Sequence, residues 1–364
     1  MSEPQFHLSK ILNLQQFEPA AKKILSPMAY AYFSGGACDE ITLRENRTCW
    51  DKIKLWPRVL RGVNDPDLTS RLFGNKVTLP FLPAPVAMLK LAYPDGESAL
   101  VRATNLANIP CIASTMATTK LEDIAKESKG YRYFQLYCFK DKGLTKALIQ
   151  RAEAAGYQGL IVTVDAQILG KREADTLHKF HLPPGLKLEN LDDSLNGIMQ
   201  QAEGSGAERI SARFDTHLNW NSMEAILTQT KLPWGLKGIL HPDDAKIAAD
   251  LGAHAIFISN HGGRQLDGVP TALDVLPLID KAVQGRAEIF MDGGIFRGTD
   301  ILKAIALGAN GVLIGKPFVY ALAVAGEAGV SHLFHILLEE LKLAMCLLGC
   351  QSLSDLDQSF LFNF

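Results

Sequence analysis

The 364-residue sequence has no CxxC pair and no cysteine or histidine grouping at zinc spacing, which leaves no basis for a zinc module or a redox dithiol. Its six cysteines, at positions 38, 49, 111, 138, 346 and 350, are scattered along the chain. Cys346 and Cys350 stand one helical turn apart and read as small core residues. An excess of positive charge is also lacking. The 37 Lys and Arg against 39 Asp and Glu leave a formal net charge of −2, which argues against a nucleic-acid partner. No run of about 18 uncharged apolar residues occurs, so no membrane span is expected. The N-terminal residues lack the basic and apolar blocks of a signal peptide, and the C-terminal tripeptide is not a peroxisomal address. A reduced, cytoplasmic protein is the expectation. No low-complexity tract or linker is long enough to mark a second domain.

What is present is a repeated alternation. Eight short apolar runs cover residues 80–88, 109–115, 131–137, 159–165, 233–239, 255–262, 288–295 and 311–317. Segments of helical periodicity lie between them, at 96–108, 143–156, 242–252 and 298–308. Several close with one phrase: Ala155-Gly156-Tyr157, Leu251-Gly252-Ala253 and Leu307-Gly308-Ala309. A glycine stops a helix in the left-handed conformation, and the next residues enter a strand. Strict alternation of strand and helix gives a parallel sheet, and eight units close most naturally into an α/β (β/α)8 TIM barrel. Two segments fall outside the pattern. Residues 1–79 read as a helical extension covering one end of the barrel. Residues 166–222 form a long loop after strand four, a length typical of active-site lids or disordered segments. The chain reads as a single domain, 1–364, with the barrel at 80–330 and a C-terminal helix and tail at 331–364.

Polar residues gather where each apolar run ends, the edge at which such barrels keep their chemistry. Strand one ends with Pro85, Val86 and Ala87, strand two with Ser114 and Met116, and strand three with Gln135 and Tyr137. Strand four ends with Thr163 and Asp165, strand five with Lys237, and strand six with Ser259, His261 and Arg264. His261 three residues before Arg264 suggests a base beside an anion clamp. Strand seven ends in Asp292, Gly293 and Gly294, and strand eight in Gly315 and Lys316. Glycines expose backbone N–H groups, so these last two ends suit a phosphate, with Lys316 or Arg297 completing the charge.

The motifs Ser259–Asp267 (SNHGGRQLD), Asp292–Asp300 (DGGIFRGTD), Phe134–Tyr137 (FQLY), Thr163–Asp165 (TVD) and Leu169–Asp175 (LGKREAD) together resemble the FMN-dependent 2-hydroxy-acid oxidases, from about residue 10 to 355. That resemblance implies FMN as cofactor. It makes His261 the active-site base, Asp165 its orienting partner, and Arg172 and Arg264 the grip on the substrate carboxylate. Tyr32 would bond the same carboxylate, and Tyr137 the hydroxyl or developing keto oxygen. Lys237 would sit near flavin N1 and O2, and Pro85–Ala87, Ser114, Gln135, Thr163 and Ser259 would complete the ring pocket. Three positions depart from the family pattern. Phe296 and Lys316 stand where arginines are usual, which weakens the phosphate clamp. Met116 stands where glycolate oxidases carry Trp, which opens space over the substrate side chain. The expected activity is therefore oxidation of an L-2-hydroxy acid, lactate-like rather than glycolate, with O2 reduced to H2O2. A dehydrogenase or monooxygenase with the same first step is one alternative, and a flavin-poor binding protein is another. Family analogy makes a tetramer or octamer the expected assembly.

Overall fold

The computed structural model describes residues 7–201 and 203–362. All eight apolar runs form strands: β1 (Phe81–Pro83), β2 (Cys111–Ser114), β3 (Arg132–Leu136), β4 (Leu160–Thr163), β5 (Trp234–Ile239), β6 (Ala255–Ile258), β7 (Glu288–Asp292) and β8 (Gly311–Ile314). They make one sheet in the order β1-β8-β7-β6-β5-β4-β3-β2, and every neighbouring pair is parallel. Beyond the ends of β1 and β2, the Met88 N–H donates to the Met116 carbonyl at 3.0 Å. The ring is thus a nearly closed (β/α)8 barrel. Strands such as β2, β4, β6 and β8 are buried along their whole length, as parallel strands covered by helices must be.

Every strand except β5 stops short of the C-terminal end of the apolar run that foretells it. After β1 the chain meets Pro85, which has no N–H to continue a ladder. After β6, His261 takes the left-handed backbone, φ 59°, and the chain leaves the sheet. Tyr137, Asp165, His261 and Arg264 therefore stand on loop positions beyond the strands, whereas Ser114, Gln135, Thr163, Lys237 and Asp292 lie within them.

Helices α1 (Pro27–Ser34) and α2 (Ile41–Thr48) precede the barrel. Around it run α3 (Gly96–Ala107), α4 (Leu121–Glu127), α5 (Lys142–Ala154), α6 (Trp220–Leu227), α7 (Pro242–Asp250), α8 (Ala272–Val283), α9 (Gly298–Ala306) and α10 (Lys316–Leu348). Local chemistry starts them: Asp141 caps α5 through the Gly143 and Leu144 N–H groups, and Thr271 and Asp274 form a reciprocal capping box on α8. Helix α10 breaks at Ala325 and Gly326. Among the described residues it is the one helix long and apolar enough to cross a membrane by length and composition. Leu333, Leu337, Leu341 and Met345 on it are fully buried, and it packs against α3.

The N-terminal segment serves both ends of the barrel rather than one. Its hairpin, Ser70–Leu72 paired with Asn75–Val77, closes the N-terminal end, where Tyr133 donates to the Leu72 carbonyl at 3.2 Å and the Gly74 N–H donates to Glu288 at 3.0 Å. Helices α1 and α2 cover the C-terminal end. There, Asn46 and Asn260 exchange side-chain hydrogen bonds of 2.9 and 2.8 Å, and Trp50 donates to the Gly293 carbonyl at 3.2 Å. At Gly294 (φ +69°) an added Cβ would lie 1.7 Å from the Asn46 carbonyl oxygen, so only glycine lets α2 come this close.

Removing half of the buried Asn46–Asn260 pair leaves polar groups without partners, which costs about 1–3 kcal/mol. Asn46→Ala is expected to lower the unfolding free energy by that amount in urea titration. A loss below about 0.5 kcal/mol would show that other contacts dock the N-terminal segment.

Candidate active site

The C-terminal end of the barrel opens into a cavity of about 580 Å3. Of the residues expected at a site, Tyr32, Pro85, Val86, Ala87, Ser114, Met116, Gln135, Tyr137, Thr163, Arg172, Lys237, His261, Arg264, Asp292, Gly293, Gly294, Gly315 and Lys316 all line it. Three do not. Asp165 stands behind His261. Ser259 is fully buried behind the wall. Arg297 points away and pairs with Glu340 at 2.7 Å, so its assignment to a phosphate is corrected: a half-buried carboxylate from α10 already holds its guanidinium.

Asp165 and His261 come from the ends of β4 and β6. The Nδ1 of His261 lies 3.0 Å from one Asp165 carboxylate oxygen and 3.2 Å from the other. This contact turns Nε2, which has no partner among the described residues, to the cavity. The geometry depends on Gly238 in β5, at a bulge in the β5–β6 register. With φ +107°, a Cβ there would sit 2.5 Å from the Asp165 side chain. Burial pushes the Asp165 pKa upward, yet His261 and Lys237 outweigh it and hold the carboxyl below its ordinary value. Burial lowers the His261 pKa below the ordinary histidine value, against the pull of Asp165. The imidazole is therefore neutral at neutral pH and able to accept a proton.

Arg264 donates to the Tyr32 and Gly35 carbonyls at 2.6 and 2.9 Å and lies over the Tyr32 ring at 5.0 Å. Arg172 donates to the Arg264 carbonyl at 3.1 Å and to the Gln265 side chain at 3.2 Å. Neither guanidinium is paired with a carboxylate among the described residues. Burial, and then repulsion from Arg264, bring the Arg172 pKa down to about 10. Two like charges, one buried and one half-buried, with spare N–H groups call for an anion. Tyr32 is fixed by stacking on Phe180 at 4.1 Å, and Tyr137 by stacking on Phe214 at 4.7 Å. Burial, followed by the nearby Asp165 charge, pushes the Tyr137 pKa up, so its hydroxyl remains a donor.

A hydrogen-bonded wall faces this cluster. Gln135 accepts from Ser114 at 3.1 Å and donates to Thr163 at 2.9 Å, linking the ends of β2, β3 and β4. Lys237 donates to Ser259 at 2.8 Å and contacts Asp292 at 2.6 Å. Ser259 in turn donates to Asp292 at 2.7 Å and accepts from the His261 N–H at 3.0 Å. Ser259 thus positions the others without lining the cavity.

At the far end of the cavity stand Gly293, Gly294 and Gly315 with Phe296 and Lys316. Lys316 begins α10 and donates to the Ser34 carbonyl at 2.7 Å. Burial, with Arg264 adding to it, brings its pKa down to about 7. Sequence reasoning missed Arg47. Its guanidinium lies 5.5 Å from the centre of the Phe296 ring, donates to the Gly294 carbonyl at 2.9 Å, and pairs with Asp300 at 2.8 Å. Nothing in the local sequence around Arg47 signals a place almost 250 residues away along the chain.

The long loop folds over this opening as three short helices, Glu173–Leu177, Asp193–Met199 and Gly206–Ser211. It brings Leu188, Met199, Ala207, Ile210 and Phe214 to the cavity beside Met116. The sequence left this segment open between a lid and a disordered stretch, and marked none of these side chains.

A flat aromatic cofactor with a phosphate tail fits these features. The walls are apolar on the β1 side, glycines at one end leave backbone exposed, and cations outnumber carboxylates in the lining. The family model for FMN-dependent dehydrogenase matches residues 21–363. An L-lactate oxidase of Nostoc sp. (strain PCC 7120) is 48% identical over 360 residues, covering 97% of this chain and 99% of the relative. Glycolate oxidase 1 of Zea mays is 42% identical over 357 residues, covering 98% and 97%. A crystal structure of mandelate oxidase with (S)-4-hydroxymandelic acid superposes with a TM-score of 0.90 at 39% identity, covering 94% of this chain and 96% of that one. By fold, cavity and likeness over nearly its whole length, the chain belongs to the FMN-dependent 2-hydroxy-acid oxidases of the FMN-dependent dehydrogenase family.

Proposed function

We propose that this protein oxidises an L-2-hydroxy acid to the 2-oxo acid, passes the electrons to O2 to give H2O2, and favours lactate-like substrates over glycolate. The observation that carries this reading is a buried and a half-buried arginine, Arg172 and Arg264, unpaired with any carboxylate among the described residues, beside a neutral histidine whose Nε2 faces the same cavity. Arg172 and Arg264 bind the substrate carboxylate, the guanidinium fork matching a planar anion, and Tyr32 adds a hydroxyl. Tyr137 donates to the oxygen on the α-carbon. His261 Nε2 takes a proton from the substrate, and Asp165 stabilises the resulting imidazolium. FMN, when bound, supplies the two-electron acceptor. Pro85, Val86, Ala87, Gln135 and Thr163 would flank its ring, with Lys237 at the ring edge. Gly293, Gly294, Gly315 and Lys316 would hold its phosphate, and Arg47 supplies positive charge on the side where Phe296 has none. The lid excludes water above the reacting atoms.

The preference for lactate rests on Met116. It is buried at the end of β2, adjoins the apolar lid residues, and leaves room that an indole would fill.

Anaerobic addition of L-lactate is expected to bleach the flavin of the FMN-loaded protein, and air to restore it with release of H2O2. His261→Gln should keep its flavin and lose about 10²–10⁴-fold in reduction rate, the usual scale for an acid–base group. Retention of more than about a tenth of the rate would remove His261 from the base role. If neither L-lactate nor any other L-2-hydroxy acid bleaches the wild-type flavin, the proposed activity is wrong.

Met116→Trp tests the specificity assignment. A methylene-scale difference in such a pocket is worth about 1–3 kcal/mol, so the lactate-to-glycolate ratio of kcat/KM should fall about tenfold or more. A uniform loss that preserves the ratio would make Met116 a packing residue only.

A further inference from the structure

The opposite end of the barrel holds a second cavity, of about 380 Å3, between the hairpin and the starts of β2 and β3. Lys76, Lys129 and Arg132 line it, and no carboxylate does. Among the described residues none of the three forms an ion pair. Cations at this end of a barrel often offset the carbonyls of helix C-termini. Here neutral donors already serve two of the nearest ones. Thr78 donates to the Asn108 carbonyl beyond α3 at 2.8 Å, and Asn105 donates to the Glu127 carbonyl of α4 at 2.9 Å. Arg132 has a further need, because its Nε is buried without a hydrogen-bond partner. Such a donor is costly unless something in the cavity engages its guanidinium.

We propose that this cavity binds a phosphate group, either free or as the end of a small phosphomonoester. Three cations without a counter-charge match a dianion better than a single carboxylate. A guanidinium flanked by two ammonium groups offers one fork and two point charges to the phosphate oxygens. Gln158, whose side-chain oxygen accepts from the Arg132 N–H at 2.8 Å, keeps its amide N–H groups for the same ligand. The volume exceeds that of one phosphate and leaves space for a short ester along Ile109 and Pro110. The site is separate from the flavin cavity and does not depend on the proposed activity.

The test uses FMN-saturated protein, so that the upper cavity is filled. Inorganic phosphate and glycerol phosphate are titrated by calorimetry at constant ionic strength, with chloride as the control anion. Lys76 and Lys129 are exposed, so the double variant Lys76→Gln/Lys129→Gln should fold and keep its turnover. Its phosphate affinity should fall at least about tenfold, the equivalent of one lost charge-assisted hydrogen bond. Tighter binding of glycerol phosphate would assign an ester as the ligand, and tighter inorganic phosphate the free ion. Absence of saturable phosphate binding by the wild type, equal affinity in the double variant, or an equal response to chloride would each overturn the proposal.

Discussion

A carboxylate kept ionised inside a barrel has to be compensated at once by charge, hydrogen bonds and room. Asp165 meets all three demands from different parts of the chain: His261 beyond β6, Lys237 in β5, and the missing side chain of Gly238. Much of the site follows from this contact. Held by Asp165, His261 takes one orientation and presents Nε2 to the cavity. The left-handed turn at His261 directs the chain back toward α1, where Arg264 reaches the Tyr32 and Gly35 carbonyls. The Lys237–Ser259–Asp292 cluster then holds the base of the same loop through the His261 N–H.

Around this contact the charges are arranged to be incomplete. Burial, and then repulsion from Arg264, lower the Arg172 pKa. Such an arrangement costs stability until an anion arrives, so the binding of a carboxylate is favoured by what the free protein lacks. The lid completes the enclosure with apolar side chains, which strengthens each electrostatic contact beneath it. The phosphate end of the cavity is the weaker part by the same reasoning. Lys316 is a point charge drawn to the Ser34 carbonyl, and the guanidinium of Arg47 is shared with Asp300.

The barrel was legible because its signals are local. The period and the glycines that end α5, α7 and α9 are set within a few residues, and the structure reproduces them. His261, Arg264 and Asp292 were legible because strand ends collect chemistry in this architecture. The roles of Tyr32 and Arg172 came from family resemblance, since nothing near them in sequence marks a ligand. Ser259 and Arg297 show where motif reasoning stops. A motif places a residue on a loop, but its neighbours decide which way it points, and Glu340 lies 43 positions beyond Arg297. Arg47, Gly238 and the lid residues were illegible for the same reason, because their partners are distant along the chain.

The central claim is that the Asp165–His261 contact makes the histidine an effective base without taking part in substrate binding. Asp165→Asn tests it most directly, by the rate of anaerobic flavin reduction with L-lactate alongside the affinity for a 2-oxo acid. Loss of the carboxylate removes the charge that stabilises the imidazolium. The account predicts a rate lower by about 10²–10⁴-fold, with flavin content and 2-oxo acid affinity unchanged. A rate within about threefold of wild type, or a loss explained wholly by weaker 2-oxo acid binding, would contradict it.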